Sequence, residues 1–478
     1  MTAPALATAL LPEIWLSGLF ALLLTLDLCW KEERSTTLGG VAAIGLLPLF
    51  PILAWQTGLG RHDLLGGMYR LDLLALFFKG IFTAATVGVI LMTREMDRSI
   101  PRGHGEFYLL ILSAAFGMFL AASAASFVML FVALELISIT FYVLTAYLQN
   151  NLNSLEAGMK YLVLGSLASG LLLYGTAFIY GSTGSMQFSA IEGMMSSAQS
   201  LSPALLFGLL LVIAGLLFKA AAVPFHLWVP DVYQGAPTPV TAFLSVGSKS
   251  AGFLVIFRIV QQLFIGQNAQ WAPLMVWVAG LTILYGNLGA IPQRNIKRLL
   301  GYSSIGHAGY LLIGIATASR IGSTAVNFYL ASYLFTNMAV FLVIAAFSRR
   351  VESDEIKAYA GLSKRSPFLA AVMFIGLLSL AGVPPLAGFF GKFLLLLGAV
   401  TEGYLVLALI GAGAVVVSLY YYLQIVYTMY AKEPQDPSPI PVSLPIRLAL
   451  WVCLAAMLGL GIWQAPLLKI SFAAISGS

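Results

Sequence analysis

Long apolar runs, separated by short polar loops, follow one another along almost the whole chain. A helix of about 20 mainly apolar residues is long enough to cross the ~30 Å hydrocarbon core of a bilayer. Counting runs by that length predicts about fourteen transmembrane helices, at approximately 9–30, 37–56, 72–93, 106–122, 124–148, 157–181, 202–228, 237–264, 271–291, 296–317, 323–348, 367–400, 403–430 and 444–467. The pattern therefore predicts an all-α polytopic membrane protein.

Composition supports this prediction and excludes several other classes of protein. Hydrophobic residues make up 60% of the 478 residues and charged residues only 9%, whereas a soluble domain carries roughly 25% charged residues. The net charge of +6 does not indicate nucleic-acid binding, because the basic residues lie in short loops between the apolar runs. Cys29 and Cys453 form no C-x-x-C pair and the four histidines are widely spaced, so we expect no metal site and no redox centre in this chain.

The basic residues are distributed unequally between the two sides of the predicted membrane. With an external N-terminus, sixteen of them fall in internal loops and helix ends, which is the side where lysine and arginine accumulate. The external side holds four, Arg61, Arg70, Arg320 and Lys469. The remaining five fall inside predicted spans, at Lys79, Lys219, Lys249, Arg258 and Lys392. The asymmetry supports both the number of spans and their orientation.

Two predicted spans are interrupted by proline. One contains VPFHLW at 223–228 and the other VPPLAGFF at 383–390, and in our topology these spans cross the membrane in opposite directions. Non-helical backbone is tolerated at membrane depth where it is buried in protein or lines a watery cavity. Paired broken helices in inverted repeats are typical of transporters, with the active site near the midplane.

Glu135 and Lys219 are the first candidates for a proton path, because intramembrane ionisable residues indicate a functional site by default. A lone carboxylate in mid-membrane costs ~2.5–3.5 kcal/mol, so Glu135 needs a basic partner. A lysine and a glutamate whose separation varies would take up and release a proton. The alternatives are a structural acid at Glu135 and a Lys219 side chain that snorkels to the interface.

Lys249, Lys392 and His307 extend the set of candidates. Lys249 is central in its span among small residues, and Lys392 follows the second proline break. A histidine that titrates near neutral pH suits a proton relay, but a packing role for His307 is equally compatible with the sequence. For Lys79 and Arg258, which are nearer to span ends, we expect snorkelling. A further set of tyrosines is expected to form an interfacial belt, with a quinone site as the alternative, Tyr420, Tyr421, Tyr422, Tyr427 and Tyr430.

Three motifs resemble those of a known family. They are FKAAAVPFHLWVPDVYQGAPTPVTAFLSVGSK, NIKRLLGYSSIGHAGYLL and LAGVPPLAGFFGKF, and together they resemble the antiporter-like membrane subunits of respiratory complex I and of Mrp-type cation/proton antiporters. The resemblance implies two inverted five-helix repeats with broken seventh and twelfth helices. We place them at 106–264 and 271–430, after three N-terminal helices at 1–105 and before a C-terminal helix at 444–478.

The resemblance also implies a role for each candidate residue. Glu135 and Lys219 would be the interacting pair, and Lys249 would be the central relay. Lys392 would be the group on the exit side, where one sister subunit has a glutamate instead. His307 would join the hydrophilic axis between two half-channels.

The function implied is proton translocation as a subunit of an NADH:quinone oxidoreductase. FMN, iron–sulfur clusters and quinone would be held by partner subunits, and this chain would hold no cofactor. Its expected partners are neighbouring membrane subunits, the lipid bilayer and protons, with no nucleic acid. Metazoan relatives lack the first three helices, so the resemblance implies a bacterial cytoplasmic membrane. A sodium/proton antiporter subunit and a purely structural membrane spacer are the alternatives.

Overall fold

The structure is a computed structural model that describes residues 3–30, 35–96, 103–197, 201–263, 268–434 and 436–476. Four of the basic residues assigned to the internal side lie outside these ranges, Lys31, Arg34, Arg98 and Arg102. The described chain is almost entirely helical, as predicted.

The N-terminal region contains five helices and one short hairpin. The helices are α1 (Ala3–Ala9), α2 (Leu11–Cys29), α3 (Ser35–Leu46), α4 (Leu49–Gln56) and α5 (Leu73–Glu95). Helices α3 and α4 form one kinked span, since Pro48 has no N–H to continue the ladder of hydrogen bonds. The strands β1 (His62–Leu64) and β2 (Tyr69–Leu71) pair antiparallel between α4 and α5. Sequence analysis did not predict this hairpin.

The middle of the chain forms two series of helices. The first consists of α6 (His104–Ser123), α7 (Phe127–Thr145), α8 (Leu152–Thr183), α9 (Phe188–Ser197), α10 (Pro203–Ala220), α11 (Val229–Gly235), α12 (Thr238–Phe243) and α13 (Lys249–Leu263). The second consists of α14 (Asn268–Ala290), α15 (Ile296–Ala316), α16 (Arg320–Ser348), α17 (Leu362–Arg365), α18 (Pro367–Ala381), α19 (Ala387–Thr401) and α20 (Leu405–Ala431). Helices α21 (Leu444–Ile462) and α22 (Ala465–Ser476) follow.

The predicted count of about fourteen spans agrees with these helices. Within the described ranges, 13 helices are long and apolar enough to cross a membrane. The predicted span at 367–400 is divided into two shorter apolar helices, α18 and α19. Helix α22 was not predicted as a separate helix, because its first residues fall inside the last predicted span, 444–467.

Both predicted helix breaks are present. Helix α10 ends at Ala220, and Ala221 adopts a left-handed conformation with φ of 62°. Helix α18 ends at Ala381, and Gly382 adopts φ of 89°. Each break contains a cis X-Pro bond, Val223–Pro224 in the first and Pro384–Pro385 in the second. The prolines therefore interrupt the two spans at the positions that the sequence predicted.

The most deeply buried spans occupy the middle of the bundle. The span Thr238–Leu263 is completely buried within the protein, whereas only 22% of Leu444–Ile462 is buried. The buried span is not uniform, since a π-helical turn, Leu244–Ser248, joins α12 to α13. Such turns occur frequently at functional sites. Lys249 is the residue that directly follows this turn.

Candidate functional site

Glu135 and Lys219 lie on neighbouring helices. Glu135 on α7 is half-buried and accepts a hydrogen bond from Ser169 Oγ of α8. Lys219, one residue before the end of α10, is buried and donates to Ser138 Oγ. Ser138 lies three residues after Glu135, so both project from the same face of α7. Lys219 is therefore held against the helix that carries Glu135 and does not snorkel to the interface.

The two charged groups do not form a closed ion pair in this state. In the part of the chain that the structure describes, no carboxylate oxygen lies within 4.0 Å of Lys219 Nζ. The ammonium instead lies 5.7 Å from the centre of the Phe218 ring. Its hydrogen-bond partner is therefore Ser138, three residues after Glu135 on α7.

Lys249 links α13 to α15. Its Nζ donates to the Ser304 carbonyl oxygen at 2.5 Å and also to Ser304 Oγ. Ser304 Oγ lies 3.0 Å from the Tyr233 hydroxyl of α11, and the Tyr333 ring lies 6.0 Å from Nζ. The lysine is 2% exposed, so its charge has protein groups and no lipid headgroup to interact with.

The space between Lys219 and Lys249 is narrow because a glycine lies there. Gly252 lies three residues after Lys249 on α13, and a Cβ atom at this position would be 3.2 Å from the backbone of Lys219. Helices α10 and α13 therefore approach each other directly. Close approach of this kind is what small residues permit between transmembrane helices.

His307 is the centre of a hydrogen-bonded group of tyrosines. Its Nδ1 lies 2.5 Å from the Tyr329 hydroxyl of α16, and its Nε2 lies 3.3 Å from the Tyr422 hydroxyl of α20. The Tyr422 hydroxyl also bonds Ser303 Oγ. A hydroxyl group both donates and accepts hydrogen bonds. Both ring nitrogens of His307 therefore have a tyrosine hydroxyl as hydrogen-bond partner, and a relay role stays a prediction.

Lys392 lies at the second helix break. Its Nζ donates to the carbonyl oxygens of Leu380 and Ala381 at 2.8 and 3.1 Å, which are the last two residues of α18. Positive charge is favourable at a helix C-terminus because of the dipole and the unpaired carbonyl groups there. The ammonium also lies 4.8 Å from the centre of the Tyr310 ring. The break thus provides the buried lysine with acceptors.

Helix α15 connects these groups along one stripe. Ser304, His307 and Tyr310 recur every three residues, so they project from the same side of the helix. Ser304 binds Lys249, and Tyr310 contacts Lys392. The stripe therefore links Lys249 to Lys392 at the second break. We define the central axis by seven residues, Glu135, Lys219, Lys249, Ser304, His307, Tyr310 and Lys392.

The predicted snorkelling of Lys79 and Arg258 was wrong. Lys79 Nζ is fully buried and lies 2.6 Å from Glu13 Oε1 of α2, with the Tyr69 hydroxyl at 2.8 Å. Arg258 forms two hydrogen bonds with Asp72, at 2.7 and 2.8 Å. The sequence signal that was missed is an acidic residue in or beside another apolar run. Glu13 is the buried partner of Lys79, and Asp72 is the buried partner of Arg258.

The predicted tyrosine belt was partly wrong. Tyr420, Tyr427 and Tyr430 are exposed on the outer face of the protein, but Tyr421 and Tyr422 are fully buried. Helical spacing could have separated them, because 420, 427 and 430 share one face of a helix and 421 and 422 project elsewhere.

No site for a metal is evident in the described ranges, since no group of three or more His, Cys, Asp or Glu residues could hold an ion there. The central axis consists of lysine, serine, tyrosine, histidine and glutamate side chains. Histidine, glutamate, lysine and tyrosine are side-chain types that can take part in proton transfer.

Comparison with known proteins identifies relatives over nearly the full length. The family model described as "NADH:quinone oxidoreductase/Mrp antiporter, TM" matches residues 124–418. NADH-quinone oxidoreductase subunit N from Heliobacterium modesticaldum is 42% identical over 442 residues, covering 92% of this chain and 93% of the relative. The subunit N from Trichlorobacter lovleyi is 40% identical over 472 residues, covering 98% of this chain and 96% of the relative.

Solved structures agree with these relatives. A chain of respiratory complex I from Thermus thermophilus matches with a TM-score of 0.81 and 31% identity, covering 96% of this chain and 98% of that one. A chain of the Mrp complex from Dietzia sp. DQ12-45-1b matches with a TM-score of 0.88 over 100% of this chain and 97% of that one. Its identity is 23%, so this second match indicates a shared fold alone.

Proposed function

The chain belongs to the subunit N family of NADH-quinone oxidoreductases, and from this premise we infer that it translocates protons as a membrane subunit of that complex. The energy comes from redox chemistry in other subunits. The observation that carries the inference is the central axis of buried ionisable groups in a chain with these relatives. The names of the relatives favour complex I over an Mrp-type antiporter, since the Mrp match extends to the fold only.

The protein is a multi-pass protein of the bacterial cytoplasmic membrane, and its partners are the other membrane subunits of the complex. We propose that FMN, iron–sulfur clusters and quinone are all bound by those partner subunits. We propose further that 106–264 and 271–430 are two inverted repeats, flanked by 1–105 and 444–478. The two proline breaks, one within each repeat, support this division.

We propose that Glu135 and Lys219 load protons. Burial disfavours the charged form of a lysine, whereas a nearby carboxylate favours it. When Lys219 approaches Glu135 it would take up a proton, and when it returns to Ser138 and its apolar surroundings it would release one. The contact of Lys219 with Ser138, on the same face of α7 as Glu135, supports such an exchange.

We propose that Lys249 receives this proton and that His307 and its tyrosine partners conduct it to Lys392. The bonds from Lys249 to Ser304 and from His307 to Tyr329 and Tyr422 support this order. Moving one proton against 100 mV costs ~2.3 kcal/mol. A charge at mid-membrane costs ~2.5–3.5 kcal/mol. The two energies are of similar size, so the environment of one buried charge matters for each proton step.

The decisive experiment is a Lys219→Ala substitution in the assembled complex, with proton pumping and quinone reductase activity measured together in proteoliposomes. We expect both activities to fall at least about tenfold, which corresponds to an increase of ~1.4 kcal/mol in the activation free energy. The reason is that the substitution removes the amino group proposed to carry the proton. The control is Lys364→Ala, because Lys364 is an exposed residue paired with Glu433. If the Lys219 variant assembles and pumps as the control does, the chain is a structural spacer and the proposal is wrong.

A further inference from the structure

A cavity of about 510 Å³ opens between the hairpin, α9 and the adjoining ends of α13, α14, α15 and α16. Four arginines line it, Arg61, Arg70, Arg258 and Arg320. We call it the external arginine pocket, because all of these elements lie on the external side in the orientation that the basic residues indicate. None of the four arginines belongs to the central axis.

The location of these cations is unexpected. External loops of bacterial membrane proteins are poor in lysine and arginine, and this chain has only four basic residues on that side. Three of them, Arg61, Arg70 and Arg320, line the same cavity, and the fourth, Lys469, does not. Concentration of three external arginines at one place indicates a local anionic ligand.

The charges of the pocket do not cancel. Arg70 is paired with Asp63 at 2.7 Å, and Arg258 is paired with Asp72. Glu192 also lines the cavity. The other two arginines make no ion pair within the described ranges. Four guanidinium groups thus accompany three carboxylates, and one positive charge is left for a monoanion.

Buried polar atoms in the pocket are left without partners. Arg258 is 3% exposed, and its Nε has no hydrogen-bond partner among the described residues. Oε1 of Gln262, which also lines the cavity, has none either. An unsatisfied buried donor and acceptor normally have a ligand or ordered water. The donor suits a phosphate oxygen, and the acceptor suits a hydroxyl group.

Most of the rest of the lining is apolar, apart from Gln261 and Ser323. It includes Phe257, Trp271 and Ile315 beside the arginines. Tryptophan is enriched at the level of the headgroups, where one part of the ring contacts lipid chains. A cavity lined by both guanidinium groups and apolar side chains fits an amphipathic ligand better than a free ion.

We propose that the external arginine pocket binds the phosphodiester headgroup of an anionic phospholipid from the external leaflet. A phosphodiester carries one negative charge, accepts the planar donors of arginine and, in phosphatidylglycerol, offers hydroxyl groups to Gln262. The proposal rests on the orientation of the chain and not on the proton path. Lipid binding and proton pumping can therefore fail independently.

The test compares an Arg61→Gln, Arg320→Gln double variant with a Lys469→Gln control, which removes an external cation outside the pocket. The complexes are purified in mild detergent, and bound phosphatidylglycerol is measured by native mass spectrometry. We expect the double variant to lose phosphatidylglycerol and the control to keep it. Each lost charge-assisted hydrogen bond weakens binding roughly tenfold or more. Both arginines are exposed, so the fold is retained.

A second measurement distinguishes the possible ligands. Delipidated wild-type complex is titrated with phosphatidylglycerol, phosphatidylcholine and inorganic phosphate, and we expect phosphatidylglycerol alone to restore the bound species. Equal retention of phosphatidylglycerol in the variant and the control would overturn the proposal. The proposal would also be wrong if inorganic phosphate bound with the same affinity as phosphatidylglycerol. Loss of a neighbouring subunit from the variant without loss of lipid would identify a partner carboxylate as the ligand and would also overturn it.

Discussion

The buried pair of Lys79 and Glu13 permits a quantitative prediction. The ammonium and carboxylate are 2.6 Å apart, and their side chains are 0% and 7% exposed. The Tyr69 hydroxyl accepts from Lys79 at 2.8 Å and donates to Glu13 at 2.9 Å. At an effective dielectric constant of ~20, the attraction between the two charges is about 6 kcal/mol. Most of that attraction offsets the cost of removing both charges from water.

Glu13→Gln or Lys79→Met alone should therefore lower the free energy of unfolding by about 3–5 kcal/mol, because one buried charge is left without its partner. The double variant should be within about 1 kcal/mol of the wild type, since no charge remains and the glutamine can still accept from Tyr69. The assay is unfolding by sodium dodecyl sulfate in mixed micelles, analysed as a double-mutant cycle. Single variants that lose less than about 1 kcal/mol, or a double variant that loses the sum of both, would refute this reasoning.

Two other substitutions test the central axis. Tyr329→Phe removes the hydroxyl that bonds His307 Nδ1, and we expect several-fold slower proton pumping without loss of assembly. The control is Tyr420→Phe, at an exposed tyrosine, which should pump normally. Equal pumping rates in the two variants would show that Tyr329 is not part of the proton path. Gly252→Leu should force α10 and α13 apart and abolish pumping in the same assay, because even a Cβ atom meets backbone at 3.2 Å. Gly413→Leu, where no atom lies within 4 Å of an added Cβ, is its control, and a Gly252 variant as active as that control would contradict the packing argument.

Sequence analysis predicted those features that depend on local chemistry. Hydropathy determines the spans because ~20 apolar residues are needed to cross the bilayer. The breaks were predictable because Pro224 and Pro385 cannot donate the hydrogen bonds of a continuous helix. Glu135 and Lys219 were recognisable as candidates because a charge deep in an apolar run is costly wherever it lies.

The features that were missed depend on which helices become neighbours. Position along a span suggested that Lys79 is near the interface, but its partner Glu13 lies on a different helix that packs nearby. The hairpin consists of two three-residue strands, which are too short to show a period of two. The partners of His307 are 22 and 115 residues away in the sequence, so no local pattern joins them.

The bonds from Lys392 to Leu380 and Ala381 have a mechanical consequence. An ammonium group holds the last carbonyls of a helix more firmly than a neutral amine does, because only the ammonium is attracted by the dipole. Removing one proton from this side chain therefore loosens the end of α18 at the same time. The protonation of Lys392 and the stability of the second helix break are therefore coupled through these two bonds.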